Sequence, residues 1–332
     1  MNGVIGRSVV PLAVVTLLLA FPLVTTGFYL EFTTKVMILS IFALSLELLV
    51  GACGLVSLGH AAFLGIAAYA VVLLSPKYGA ANFFLLLPAA IACSAIYALA
   101  VGALSLRTKG VYFIMVTLAF AQMAYYVFHD TKLGGGTDGI YLSAKPAVSL
   151  FGVTLFDLGK PVTLYYFVFA CLAGVFLFLA VLLRSRFGRA LAGIRSNEQR
   201  MRAAGFATFP YKWAAFTLAG ALAGLAGFLV AVKDGFVNPE MLSWHESGAV
   251  LLMLILGGIG RLSGAVLGAF AFALLQLFFQ WDAVFGGFAK HWQLMLGVTI
   301  IVCVAFMPNG LIGLPAQLRA RRQRRRDEVA RA

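Results

Sequence analysis

The sequence predicts an all-α integral membrane protein of about ten transmembrane helices, and three observations carry that expectation. Hydrophobic residues make up 62% of the chain and charged residues 11%, and the mean hydropathy is +0.98, which suits a chain solvated by lipid. The apolar residues are gathered into long runs, most of them near the ~20 residues a helix needs to cross a bilayer. Third, the formal net charge of +13 lies beside those runs, so it does not point to nucleic acid. Cys53, Cys93, Cys171 and Cys303 all fall inside apolar runs with no pairing or metal-ligand spacing, and read as small core residues.

The runs justify the helices in order. Residues 9–30 follow Arg7 and show no small-residue cleavage site, so they are expected as a retained helix rather than a leader. Passes are then expected over 35–51, 57–74, 82–105 and 111–128. Residues 129–160 are polar and glycine-rich. The stretch LGGGTDGI at 133–140 lacks the lysine–hydroxyl pair of a phosphate-cradling loop and reads as a tight turn. Residues 148–156 alternate weakly around Gly152, as a small hairpin would. Further passes are expected over 161–183, 213–232, 247–258 (the shortest), 262–281 and 291–306. Residues 1–318 thus form one transmembrane domain, followed by a basic tail at 319–332 that suits topology anchoring and lipid headgroups.

Ten passes put both termini on one side, and the charges say which. Arg7, Arg107, Lys109, seven basic residues of the 184–212 connector, Arg261 and seven tail arginines fall on that side. Only seven lysines fall on the other, with eight of the twelve acids. Basic residues flanking spans are retained in the cytoplasm, so the termini and connector are expected there, and 129–160 outside.

The connector itself has structure. Ala190, Leu191 and Ile194 lay a small apolar stripe on a basic helix. Ser196 is expected as the N-cap of a second helix, with Gln199 closing a capping box and Gly205 stopping it. Such a shaped surface reads either as a docking element for a cytoplasmic partner or as a solvated positive loop.

Inside the passes, Glu47 is the exceptional residue. A carboxylate within a span is costly, so it reads either as a functional group or as a hydrogen-bonded packing residue. Residues 51–69, with Gly54, Ser57, Gly59 and His60, suggest a broken or re-entrant helix, which is tolerated where it lines a cavity or is buried in protein. Thr117 and Gln122 add polar groups to the fifth pass. Gly220 with Gly224, and Gly260, Gly264 and Gly268, stand at i, i+4 spacing that lets helices approach closely. No cluster suggests a metal, a cofactor or a catalytic nucleophile.

Five stretches carry a resemblance: GLVSLGHAAF at 54–63, TKGVYFIMVTLAFAQ at 108–122, GGTDG at 135–139, GRALAGIRSNE at 188–198 and LGGIGRLSGAVLGA at 256–269. Together they look like the permeases of branched-chain amino-acid ABC importers, the LivM type, over roughly residues 35–310. The resemblance implies a fold similar to the vitamin B12 importer permease. It also implies a LivH-like partner permease, two cytoplasmic ATPase subunits that use the ATP, a periplasmic binding protein, and residence in the bacterial inner membrane. It assigns ATPase contact to Arg189, Arg195, Asn197 and Glu198. Glu47, Ser57, His60, Thr117 and Gln122 are expected along the substrate pathway. Family members commonly carry Asn where this chain has Glu47, which leaves urea, amides or aromatic acids as alternative solutes. A stand-alone secondary transporter is the remaining alternative.

Overall fold

The computed structural model describes residues 16, 18–25, 27–76, 81–150, 153–307 and 310–313. The start of the first expected pass and the 319–332 tail lie outside the described residues.

Residues 18–24 form helix α1, held by the Tyr165 hydroxyl, which donates to the Leu18 carbonyl at 2.7 Å. Helix α2, Phe28–Glu47, then runs without interruption past Glu31, which the sequence reading had placed between two passes, and Lys35, which it had set at the start of the second. The physical reason is local. Gly27, at φ 68°, makes the break, and no glycine or proline follows until Gly51. From Leu48 to Cys53 the helix loosens into π winding, which ends at Gly54 in a left-handed conformation (φ 71°). Residues 54–59 are non-helical before α3, His60–Leu74, begins, so the expected break is present.

The other long helices are α4 (Phe83–Ser105), α5 (Val111–Asp130), α6 (Pro161–Arg184), α9 (Thr208–Asp234), α11 (Leu262–Phe279) and α13 (Trp292–Phe306). The connector folds as α7 (Arg186–Ser196) and α8 (Glu198–Ala203); α10 (Trp244–Gly257) is short, and α12 (Asp282–Phe285) is a single turn. Among the described residues seven segments are long and apolar enough to cross a membrane, and α3 and α10 are shorter apolar helices. The chain is therefore a multi-pass, all-helical membrane protein.

The bundle is built around α2 and α9. The apolar stretch of α2 with its π extension is 89% buried and that of α9 67%, whereas the other five segments bury a third or less. Without a hydrophobic force between helices in lipid, close packing must come from small residues. Gly220 and Gly224 of α9 leave room for α4, where an added Cβ at Gly224 would stand 2.7 Å from Ser94 Cβ. The Ser94 hydroxyl sits within hydrogen-bond reach of the Gly220 carbonyl (2.7 Å) and the Phe63 carbonyl (2.9 Å), joining α4, α9 and α3. Gly264 and Gly268 press on the backbone of α10, against Gly257–Gly258 and Met253. Gly260 is different from what its spacing suggested. It lies in the turn between α10 and α11 at φ 93°, not on a helix face.

At the end of the bundle away from the connector, β1 (Ile140–Tyr141) pairs antiparallel with β4 (Phe236–Val237). This ties the 129–160 loop to the loop after α9. Strands β2 (Ala147–Leu150) and β3 (Val153–Asp157) form the expected hairpin, with Val148 opposite Phe156. Tyr69 anchors the same region, stacking on Phe128 at 4.2 Å and donating to the Gly134 carbonyl at 3.2 Å.

Candidate functional site

The connector helices are positioned by their own caps. Ser185 accepts from the Gly188 amide at 3.4 Å and starts α7. Asn197, not Ser196, caps α8, accepting from the Arg200 amide at 2.8 Å. Ser196 instead donates back to the Gly193 carbonyl at 2.8 Å, because its hydroxyl belongs to the last turn of α7. Gly205, at φ 85°, ends the pair. Leu191, Ile194, Ala190 and Gly188 are buried against the bundle, while Arg184, Arg186, Arg189, Arg200 and Arg202 remain exposed.

The one acid of the connector faces inward. Glu198 Oε1 accepts from Arg202 (2.6 Å), Thr208 (2.9 Å) and Lys212 (2.9 Å), the last on the buried first turns of α9. Burial alone would raise the Glu198 pKa, but the bonds from Lys212 and Thr208, the Lys212 charge and the bond from Arg202 outweigh it and hold the carboxyl at about 2, against an ordinary 4.5. The exposed face of the connector is consequently left almost wholly cationic.

Arg195 turns the other way from its neighbours. It is largely exposed, yet its guanidinium donates to the Gly51 carbonyl, in the π-wound end of α2. Its aliphatic stem passes Gly54, where an added Cβ would lie 3.1 Å from Cγ. One helical turn before Gly51 stands Glu47, only 3% exposed. Its Oε1 accepts from the Gly260 amide at 2.7 Å, and Oε2 has no partner among the described residues. A side chain at Gly51 would collide with this carboxylate. Glu47 therefore lies near the connector end of the Phe28–Cys53 segment.

The other polar residues singled out from the sequence gather elsewhere. His60 is fully buried, with Nε2 2.8 Å from Ser45 Oγ and its ring between Phe42 and Phe63. Ser57 accepts from the Gly59 amide at 3.3 Å. Gly59 packs directly on the α5 backbone at Thr117, whose hydroxyl bonds the Ile114 carbonyl at 2.9 Å. Gln122 is half-buried one turn along. Ser57, His60 and Thr117 thus meet at one junction. Glu47 does not join them, since two helix positions separate it from Ser45 and put it on the far side of α2.

The sequence reading missed a half-open cavity of about 260 Å³ at the opposite end of α2. Glu31, Lys35, Lys233, Gln276 and Gln280 bring polar groups to it, over Phe28 and Phe32. The i, i+4 pair Glu31 and Lys35 was a signal for it, but the expected boundary between the first two passes divided the pair. Among the described residues no group of histidine, cysteine and acidic side chains is arranged to hold a metal ion.

Comparison with known proteins supplies the family. Residues 28–305 match the model of the family described as branched-chain amino acid transport system / permease component. The chain is 31% identical over 321 residues to the high-affinity branched-chain amino acid transport system permease protein LivM of Salmonella typhimurium, covering 91% of this chain and 74% of that one. Identity to LivM of Escherichia coli is also 31%, over 90% of this chain and 73% of the relative. BraD of Pseudomonas aeruginosa, a permease of the same description, is 27% identical over 46% of this chain and 48% of its own. No solved structure matches the chain. With nearly its whole helical bundle covered, the chain belongs to the permease-component family of branched-chain amino acid transport systems.

Proposed function

We propose that this chain is a permease subunit of an ATP-driven importer that passes branched-chain or other hydrophobic amino acids across the bacterial inner membrane. The carrying observation is the family match joined to the connector geometry, a capped pair of short helices seated on the bundle and presenting Arg186, Arg189 and Arg200 outward. That surface docks an ATPase subunit on the cytoplasmic side, where the excess of basic residues puts the connector and both termini. Hydrolysis belongs to two such ATPases, and solute arrives from a periplasmic binding protein at the end carrying the β2–β3 hairpin. It crosses between this subunit and a LivH-like partner, along the side where α5 leaves most of its apolar surface uncovered and backs the broken segment at Gly59. The reading includes ten passes in the plan of the vitamin B12 importer permease. In its support, the seven long apolar segments, α3, α10 and α1 make ten apolar segments among the described residues.

Reconstitution tests it. The chain, its partner permease, the ATPases and the binding protein are assembled in proteoliposomes, and leucine uptake is measured with and without ATP. Uptake is expected only with ATP and binding protein. Arg189→Glu combined with Arg200→Glu should abolish recovery of the ATPase on the permease while leaving membrane insertion intact. Leucine uptake by the chain alone would make it a secondary transporter, and full ATPase recovery on the double variant would remove the docking surface.

A further inference from the structure

Glu47, Arg195 and the turn between α10 and α11 form one continuous linkage, and we propose that it transmits movement of the connector helices into the α10–α11 pair. On this view Glu47 and Arg195 are positioning residues for transport, not contacts for solute or for the ATPase. The inference rests on the importer reading above and deepens it.

The geometry favours transmission at each step. Arg195 is rooted in α7, whose other arginines are exposed, and its guanidinium reaches a carbonyl in the last turn of the α2 extension. Carbonyls there lack intrahelical partners and carry the negative end of the helix dipole, so a cation is well placed. The extension is π-wound, a form that recurs at functional sites. From the same turn Glu47 crosses to the Gly260 amide, 213 residues away in sequence. A buried carboxylate whose second oxygen has no partner among the described residues is a costly way to fill space. Gly51, Gly54 and Gly260 are the residues whose missing side chains leave room for the two charged groups. The receiving element is stiff. Gly257, Gly264 and Gly268 bring the α10 and α11 backbones into direct contact, so displacement of their turn moves both helices together.

The alternative roles fit less well. At 3% exposure, Glu47 has almost no surface to offer a solute. A residue that only touched an ATPase would not spend its guanidinium on a carbonyl inside the bundle.

The test uses the complete importer in proteoliposomes, with three readouts: ATPase recovered on the permease, ATP hydrolysed, and leucine taken up. Arg195→Ala and Glu47→Ala should each keep the ATPase bound and hydrolysing, while uptake per ATP falls about tenfold or more, a loss typical of a broken coupling. The double variant should be no worse than the worse single one, because both act on one linkage. Glu47→Gln, which keeps an acceptor oxygen for the Gly260 amide, should restore most of the coupling. Loss of ATPase recovery in Arg195→Ala would overturn the proposal in favour of a docking contact. A change in which amino acid is carried by Glu47→Ala, with uptake per ATP intact, would overturn it in favour of a solute contact. Multiplying losses in the double variant would show two independent residues. Should Glu47→Ala fail to assemble, Arg195→Ala and Glu47→Gln decide by the same criteria. If the unaltered complex neither recruits an ATPase nor takes up leucine, it is the importer reading that fails.

Discussion

Replacement of Gly268 by alanine should separate two helices that now touch through their backbones. A Cβ at this position would stand 2.9 Å from both the Gly257 nitrogen and the Met253 carbonyl carbon, and would overlap the Met253 carbonyl oxygen. Ordinary contact begins at 3.4 Å, so the two atoms at 2.9 Å must retreat by about 0.5 Å and the oxygen by more. All three are backbone atoms of α10, so no side-chain rotation relieves the overlap and the helix itself must move. Overpacking of this kind costs about 1–3 kcal/mol, and the rigidity of the neighbour argues for the upper end. A loss of about 3 kcal/mol lowers the melting temperature of a chain this size by roughly 5 °C. Gly248, on α10 with nothing within 4 Å of an added Cβ, is the control. Gly248→Ala should be neutral or gain up to about 0.5–1 kcal/mol from the lower chain entropy of alanine. Thermal unfolding of the purified protein in detergent measures both. Equal melting temperatures for the two variants would refute the reasoning and show that α10 yields at no cost.

Three further outcomes follow from the same geometry. Glu198 is held ionised below its ordinary range, so its contribution is present above about pH 4.5 and is lost as the pH falls through that value toward 2; Glu198→Gln should therefore flatten the acid side of the stability profile, and an unchanged profile would mean that the links to Lys212 and Arg202 contribute nothing. Ser94→Ala removes a buried hydroxyl shared by the Phe63 and Gly220 carbonyls, and should destabilise the protein by about 1 kcal/mol, measured as a melting shift of roughly 2 °C. Gly51→Ala places a methyl group on the Glu47 carboxylate, and should lower uptake per ATP as Glu47→Ala does; normal coupling in that variant would show that the carboxylate can shift without losing the Gly260 amide.

Much of the fold was legible because the signals are local. Long apolar runs marked α4, α5, α6 and α9 to within a few residues, except that α9 begins at Thr208, inside the stretch read as connector. The cluster Gly54, Ser57 and Gly59 marked the break before α3. The start of α2 was misplaced because Glu31 looks like a loop charge, although Glu31 and Lys35 stand one helical turn apart and are both carried on α2. The cap of α8 was misassigned by one residue, since Ser196 and Asn197 are both good caps and only the backbone turn at Asn197, extended at φ −159°, chooses between them. Gly260 was grouped with Gly264 and Gly268 by spacing alone, which cannot distinguish a turn from a helix face.

By itself the sequence determined the class of the protein, its orientation signal, its amphipathic connector and its family motifs. Each of these depends on how a short stretch meets water, lipid or its own backbone. Only the tertiary structure decided what Glu47 and Arg195 are for one another. The Arg195–Gly51 bond joins residues 144 apart and the Glu47–Gly260 bond residues 213 apart. No periodicity encodes such pairs. They exist because glycines at 51, 54 and 260 carry no side chains and because α10 and α11 close together, which brings the Gly260 amide to the buried carboxylate of Glu47.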